Sequence, residues 1–265
     1  MRGFLIQLFE ILRRGGLGLR SALAHATRRA LVGLIAVVTA ASVFALPVWA
    51  QRSFTNEQIA NGFYRTVFGL EYQNSGRGAR VVKKFVGPVQ VYIDQRARQD
   101  RRRTVSRFIR QVASSVRGLD IRVVDSPLQA NFTVYVVDRA NYAQVIQDDV
   151  YNSSRAQVRG RCMVRVLTGR GGISKSQAVI VSDEGDFLFN RCMVEEILQG
   201  LGPLNDDASL SASVFNDTSR HTRFMLHDRY ILNLLYHPAV RPGMRMNDIA
   251  PLLPRLIADI RRYVR

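Results

Sequence analysis

The chain has 265 residues, of which 47% are hydrophobic, and its formal net charge at pH 7 is +17. This hydrophobic content is enough to build a packed core, and it argues against a largely disordered chain. The charge comes almost entirely from arginine, and such an excess is typical of proteins that bind nucleic acid, a membrane surface or an anionic polymer. Arginine-rich codon usage produces the same excess, so composition alone does not select a partner.

The N-terminal region has the pattern of an export signal. An arginine pair precedes a charge-free apolar stretch over residues 30–50, and the end of this stretch fits the small-x-small cleavage pattern. The pattern predicts a signal peptide over residues 1–50, cleavage between Ala50 and Gln51, and an exported product. The alternative is an uncleaved anchor, because 21 apolar or small residues are enough to span a bilayer.

The predicted mature chain keeps a basic charge and both cysteines. The whole chain has 38 basic and 21 acidic residues, and residues 1–50 contain six arginines and one glutamate. Their removal leaves 32 basic and 20 acidic residues, a net charge of +12. An even pair of cysteines in an exported chain predicts one disulfide, between Cys162 and Cys192. The long spacing and the absence of a CxxC motif argue against metal coordination by these thiols.

A short helix is predicted at the start of the mature chain. Thr55 and Gln58 have the spacing of a capping box, and apolar residues then recur on one face. A polar, glycine-containing link follows over residues 74–80 and is predicted to separate this helix from the main body. The predicted boundaries are therefore 51–80 for the helix and link and 81–265 for the main domain.

The next segments predict a strand and then a long helix. Residues 85–94 alternate between apolar and polar side chains, which is typical of a strand. From Val105 to Val116 the apolar spacing is i, i+3, i+4, i+7, which predicts an amphipathic helix. Its outer face carries Arg101, Arg102, Arg103, Arg107 and Arg110. This cluster lacks interleaved aromatic residues and a nucleic-acid-binding motif, so we predict a solvated face and no nucleic-acid partner.

Several strand patterns precede the next helix. They cover residues 121–124, 131–137, 161–167 and 176–183. A glycine-rich turn joins the last two, and Cys162 lies on the first of that pair. Helices are predicted from there to the C-terminus. This order of elements predicts an α+β fold with a mixed β-sheet covered by helices.

The stretch RCMVEEILQGLGPLND has the spacing of a zinc-peptidase helix but lacks its histidines. Against the pattern HExxHxxGxxH the chain has Glu195, Glu196, Gln199, Gly202 and Asn205. Zinc prefers histidine nitrogen or cysteine sulfur, and amide oxygens are weak neutral donors. Without a metal, Glu196 has no activated water to deprotonate. We therefore predict a degenerate metal helix with no metal, no cofactor and no catalytic residue, in which Glu196 is a vestigial catalytic candidate. The vestigial ligand candidates are Glu195, Gln199 and Asn205.

The chain resembles exported proteobacterial proteins catalogued as domain of unknown function twenty-nine twenty-seven, in the segments CMVEEILQGLGPLND, SVFND and DRYILNLLYHPAVRPGM. The resemblance extends through GFYRTVFGLE and the paired cysteines and covers most of residues 54–245. It implies a zincin-like fold with a decayed metal motif, and a location in the periplasm or outside the cell of a Gram-negative bacterium. The candidates for lining the cleft of such a fold are Asp206, Tyr236 and His237. The family carries no established activity, so the resemblance implies a fold more than a function.

Three functions are compatible with these observations. The first is an exported, non-enzymatic protein whose inactive peptidase-like cleft binds an envelope polypeptide or an anionic polymer. The second is a hydrolase whose metal is held by Glu195, Gln199 and Asn205. The third is a structural envelope component, in contact with the membrane only through an uncleaved N-terminal segment.

Overall fold

The computed structural model describes residues 54–69 and 80–265. The predicted signal peptide, its cleavage site and the link over residues 74–79 lie outside this part of the chain. Among the described residues, none of the helices has the length and apolar content needed to cross a bilayer.

The described part contains seven α-helices and one five-stranded sheet, which confirms the predicted α+β class. The helices are α1 (Asn56–Phe68), α2 (Arg102–Ser115), α3 (Arg139–Val145), α4 (Asp186–Gln199), α5 (Leu226–Leu235), α6 (Met246–Ile249) and α7 (Leu253–Ile260). The strands are β1 (Val89–Gln95), β2 (Ile121–Val124), β3 (Phe132–Val137), β4 (Cys162–Gly169) and β5 (Gly172–Val181). The likeness to zincins stays a prediction.

The sheet is mixed, with the strand order β2-β1-β3-β5-β4. The first four strands in this order run parallel, and β4 pairs antiparallel with β5 at one edge. The hairpin that the glycine-rich turn predicts is therefore present. It places β4 at the edge of the sheet, where its outer backbone groups have no neighbouring strand among the described residues.

The central strands are buried on both faces because they separate two apolar clusters. On β3, Val134 and Val136 face the larger cluster, whereas Tyr135 and Val137 face the smaller one. This is the alternation that a strand's two-residue period produces. The larger cluster also contains the apolar stripe of α2, which confirms the predicted amphipathic helix.

The smaller cluster is covered by a helical segment that the sequence did not predict. Helix α3 continues into a π-helical turn over Ile146–Tyr151. The side chains of Tyr142, Val145 and Ile146 in this segment are buried in the smaller cluster. The segment is too short to show a clear helical period, so only its packing against the sheet identifies it.

Helix α1 packs into the same core as the main domain. Ile59 and Phe63 are fully buried in the larger cluster, and the helix contacts α5 and α7. The predicted capping box is present, since the Thr55 hydroxyl accepts from the Gln58 amide and the Gln58 side chain accepts from the Thr55 amide. The helix is thus packed against the body of the protein.

Candidate functional site

Helix α4 carries the degenerate metal motif and lies against the antiparallel end of the sheet. Its side chains at Val194, Ile197 and Leu198 are buried in the larger cluster, as the helical spacing predicts. The helix ends in a turn at Gly202, whose φ is +136°. A Cβ atom there would lie 2.2 Å from the Lys83 carbonyl oxygen, so only glycine fits both the backbone angle and the space.

A disulfide fastens α4 to the edge strand. Cys162 on β4 and Cys192 on α4 are bonded, with 5.7 Å between their Cα atoms, which confirms the predicted pairing. Cys192 is fully buried in the larger cluster. The bond therefore fixes the distance between β4 and α4, and a cavity lies between these two elements.

A cavity of about 820 Å³ opens between β4 and α4. Its walls come from α4, from the N-terminal end of β4, from the π-helical turn and from the segment before β4. The carboxylates that line it are Glu195, Glu196, Asp206 and Asp217. The arginines that line it are Arg159, Arg161 and Arg191. We call this cavity, with these charged residues, the cleft.

The vestigial ligand positions do not converge as they would in a zinc peptidase. Glu195 and Gln199 line the cleft, but the Asn205 amide donates to the Arg65 and Asp206 carbonyl oxygens at 3.0 Å and so helps to hold α1. The Gln199 amide donates to Asp206 Oδ2 at 2.7 Å. Asp206, a predicted cleft residue, therefore lies beside Gln199 and lines the cleft.

Sequence reasoning missed Asp217 as a cleft residue. Ligand oxygens of Glu195, Asp206 and Asp217 lie within 4.8 Å of one another. Asp217 comes from the SVFND segment, which the resemblance singled out without giving it a position in space. A set of carboxylate oxygens suits a hard cation such as calcium better than zinc, which prefers imidazole and thiolate ligands.

Arg191 positions the segment that carries Asp217. One Arg191 nitrogen lies 3.3 Å from Glu195 Oε2, one turn further along the same helix. The guanidinium also donates to the Asp217 carbonyl oxygen at 2.9 Å and to the Ser219 carbonyl oxygen at 3.3 Å. Arg191 thus ties an irregular segment to α4, and its charge is engaged by groups of the protein itself.

Glu196 lines the cleft and interacts electrostatically with Tyr142, a residue of the smaller cluster. Burial, and after it the charge of Glu196, raises the pKa of the Tyr142 hydroxyl above its ordinary value. That hydroxyl donates to the Arg159 carbonyl oxygen at 3.2 Å. The Glu196 carboxylate therefore lies close enough to the Tyr142 hydroxyl to interact with it electrostatically.

The other two predicted cleft residues lie elsewhere. Tyr236 is buried and donates from its hydroxyl to the Leu201 carbonyl oxygen at 2.8 Å, which fastens the turn after α4. His237 Nε2 lies 3.0 Å from Asp259 Oδ2 on α7. Neither residue lines the cleft. They follow α5 in the chain, and the packing of α5 against α1 and α7 decides where they lie.

The histidines of the described residues do not reach the cleft either. His221 contacts the Ser211 carbonyl oxygen, and His227 stacks on the Phe54 ring at 4.5 Å and contacts the Gln58 carbonyl oxygen. Burial lowers the pKa of His227 and that of His237. These side chains connect elements of the fold, so they do not replace the histidines missing from the metal motif.

One protein family matches most of the described chain. The family model described as "Protein of unknown function (DUF2927)" matches residues 56–255, which include every helix and strand of the cleft. No curated protein matches the chain at a significant level.

Proposed function

This chain belongs to the DUF2927 family, and we propose that it is an exported, non-hydrolytic protein whose cleft binds an extended polypeptide through a basic side chain. The observation that carries the proposal is the cleft itself, with buried carboxylates on α4 beside β4, the edge strand of the sheet among the described residues. The net charge of the mature chain suggested an anionic polymer, but the chemistry of the cleft favours a cationic group.

The inner wall of the cleft is suited to a positive charge. Glu195 and Glu196 are 4% and 6% exposed, so a charge placed beside them is weakly screened by solvent. The arginines that line the cleft already have polar contacts within the protein. Arg191 contacts Glu195, and Arg161 contacts Glu184 at 3.1 Å. Four carboxylates and three arginines line the cleft, and one of these arginines pairs with Glu184, which does not line it. The formal excess of negative charge in the lining favours the ammonium or guanidinium group of a ligand.

The outer wall of the cleft is suited to a polypeptide backbone. Residues 162–164 of β4 line the cleft, and β4 is the edge of the sheet. An edge strand presents N–H and C=O groups that an extended peptide can pair with, while side-chain pockets supply specificity. An extended segment with one basic side chain would use both walls together.

The chemistry of the donors argues against hydrolysis through zinc. Histidine is absent from the cleft-lining residues that the structure describes, and both cysteines are in the disulfide. One turn of α4 separates Glu195 from Gln199, and the amide of Gln199 is engaged by Asp206. A nucleophilic water activated by zinc is therefore not supported by this set of side chains.

Peptide binding can be measured by fluorescence anisotropy with two pools of labelled random peptides, one with a fixed central lysine and one with a fixed central glutamate. The lysine pool is expected to bind more tightly. The double variant Glu195→Gln, Glu196→Gln should weaken its binding by roughly tenfold or more, because charge-assisted hydrogen bonds are lost. Mass spectrometry should recover the peptides intact.

A matched control is Asp120→Asn with Asp125→Asn, which removes two exposed carboxylates outside the cleft. This control should bind the lysine pool as the unchanged chain does. Equal binding of both pools, or equal loss in both double variants, would contradict the proposal. Peptide cleavage that depends on added zinc or calcium would favour the metal-dependent hydrolase instead.

Export can be tested separately by N-terminal sequencing of the protein recovered from a Gram-negative host. The sequence is expected to begin at Gln51, because the charge-free stretch ends in a cleavage pattern there. The disulfide supports this expectation, since such bonds persist in oxidising compartments. A sequence that begins before residue 30 would instead indicate the uncleaved anchor.

A further inference from the structure

We propose that the protein also has a membrane-binding surface, separate from the cleft, that rests on anionic phospholipid headgroups. The surface consists of exposed arginines on α2, on the segment before α5 and at the C-terminus. We call it the basic face, and its defining residues are Arg103, Arg107, Arg110, Arg117, Arg223 and Arg265.

Helix α2 supplies the central part of the basic face. Arg103, Arg107 and Arg110 are spaced i, i+4 and i+7, so they share one side of the helix. All three are exposed, while the opposite side of α2 is buried against the sheet. Residues 101–117 contain six arginines and no acidic residue. The exposed part of the predicted solvated face is therefore a row of like charges. Arg101, which was predicted to lie on that face, is instead buried and pairs with Asp186 at 2.7 Å.

Two other segments pack beside α2 and extend this row. The rings of Phe108 on α2 and Phe224 lie 6.5 Å apart, which brings the segment carrying Arg223 against the helix. At the other end, the Arg117 guanidinium lies 3.8 Å from the centre of the Tyr263 ring. The C-terminal residues therefore continue the surface beyond the end of α2.

Hydrogen bonds fix these segments in place. Asn233 of α5 donates to the Ser115 carbonyl oxygen and accepts from the Arg117 amide, at 2.8 and 3.0 Å. Arg229 donates to the Arg265 carbonyl oxygen at 2.7 Å. The basic face is therefore a preformed surface on three packed elements.

The six arginines are not neutralised within the described part of the chain. None of them forms an ion pair with an acidic side chain there, whereas Arg102 and Arg262 pair with Asp100 and Asp259. Like charges placed together raise the local potential and attract anions. Arginine in particular forms paired hydrogen bonds with phosphate.

The shape of the basic face favours a lipid surface over nucleic acid. The exposed side of a helix is convex, and the cavity described above lies elsewhere on the molecule. Proteins that hold single-stranded nucleic acid use a groove with aromatic platforms. Here Phe108 and Phe224 are buried and the Tyr263 ring is covered by Arg117. A broad array of charges without such platforms matches a plane of headgroups.

The C-terminal segment beside the basic face also holds the start of the described domain. Arg261 donates to the Phe54 carbonyl oxygen, and to Asn56 Oδ1 at 2.8 Å.

The experiment is sedimentation of residues 51–265 with phosphatidylcholine vesicles that either contain or lack phosphatidylglycerol. Binding is expected only with phosphatidylglycerol, and it should fall steeply between about 0.05 M and about 0.5 M salt because the charges are exposed. The triple variant Arg103→Gln, Arg107→Gln, Arg110→Gln should weaken binding by on the order of 100-fold.

The matched control is Arg80→Gln, Arg155→Gln, Arg170→Gln, which removes the same charge from exposed positions on other segments. It should keep most of the binding. Equal loss in both triple variants would mean that net charge alone acts, and it would overturn the proposal. Equal binding to vesicles with and without phosphatidylglycerol would also overturn the proposal. Retention on single-stranded DNA without vesicle binding would show that a nucleic acid is the partner instead.

Discussion

Replacement of both Cys162 and Cys192 by alanine is expected to lower the free energy of unfolding by about 3 to 4 kcal/mol. The bond closes a chain segment with a sequence separation of 30, and its loss releases the unfolded chain from that constraint. Alanine is the better replacement, since Cys192 is fully buried and a hydroxyl would be left in an apolar core. Urea unfolding of the oxidised protein and the variant measures the difference.

Two controls separate the bond from the side chains. Each single alanine variant should lose nearly as much stability as the double variant, because one bond is broken in all three. The unchanged protein under reducing conditions should fall to a similar value. A loss of less than about 1 kcal/mol in the double variant would show that packing alone holds α4 against β4. Because the bond joins two walls of the cleft, the double variant should also weaken peptide binding.

The second large effect is a dependence of stability on pH that comes from Asp228. This carboxylate is fully buried at the start of α5, where Oδ1 accepts from the Ser213 hydroxyl at 2.6 Å and from the Val214 amide. Oδ2 accepts from the Met225 amide. Burial raises the pKa of Asp228 from 3.8 to about 7, and the three donors offset only part of that rise.

The direction of the effect follows from the raised pKa. The folded protein holds the Asp228 proton more tightly than the unfolded chain, so the contribution of this group to stability is greatest below pH 3.8 and is lost as the pH rises to about 7. This difference in pKa corresponds to a loss of about 4 kcal/mol. His227 and His237 act in the opposite direction, because a lowered pKa stabilises the folded state as the pH rises.

The variant Asp228→Asn isolates the contribution of this carboxyl group. Its stability should be lower than that of the unchanged protein near pH 4, since an amide cannot accept from all three donors. This deficit should shrink as the pH rises to about 7, because only the unchanged protein loses the contribution of the protonated carboxyl group. The decrease between about pH 4 and about pH 7 should disappear from its curve. Urea unfolding across this range gives the difference between the two curves, in which the histidine contributions cancel.

Asp120→Asn serves as the control because it removes an exposed carboxylate just before β2 and should leave the wild-type curve unchanged. A difference curve for Asp228→Asn that is flat with pH would show that the buried carboxyl group does not titrate in this range.

The Asp228→Asn variant should also affect the cleft. Asp228 contacts Ser213, which begins the segment that carries Asp217, and Asp217 lines the cleft.

The sequence by itself determined most of the local elements, although not α3 and its π-helical turn, and it determined the disulfide. The period of apolar residues identified α2 and the alternating strands, because burial of one helix face or one strand face imposes that period. The capping box at Thr55 and Gln58 identified the start of α1, since its hydrogen bonds are local in the chain. The even pair of cysteines identified the disulfide.

Only the tertiary structure decided the strand order and the composition of the cleft. The order β2-β1-β3-β5-β4 depends on which faces pack together, and period alone does not contain that information. Asp217 lies near Glu195 because Arg191 and Asp228 hold an irregular segment from both ends. Asn205 and His237 were candidates by spacing and resemblance, yet their hydrogen bonds tie them to α1 and α7. The reason is physical: an irregular segment has no period, and contacts between residues distant in sequence fix its course.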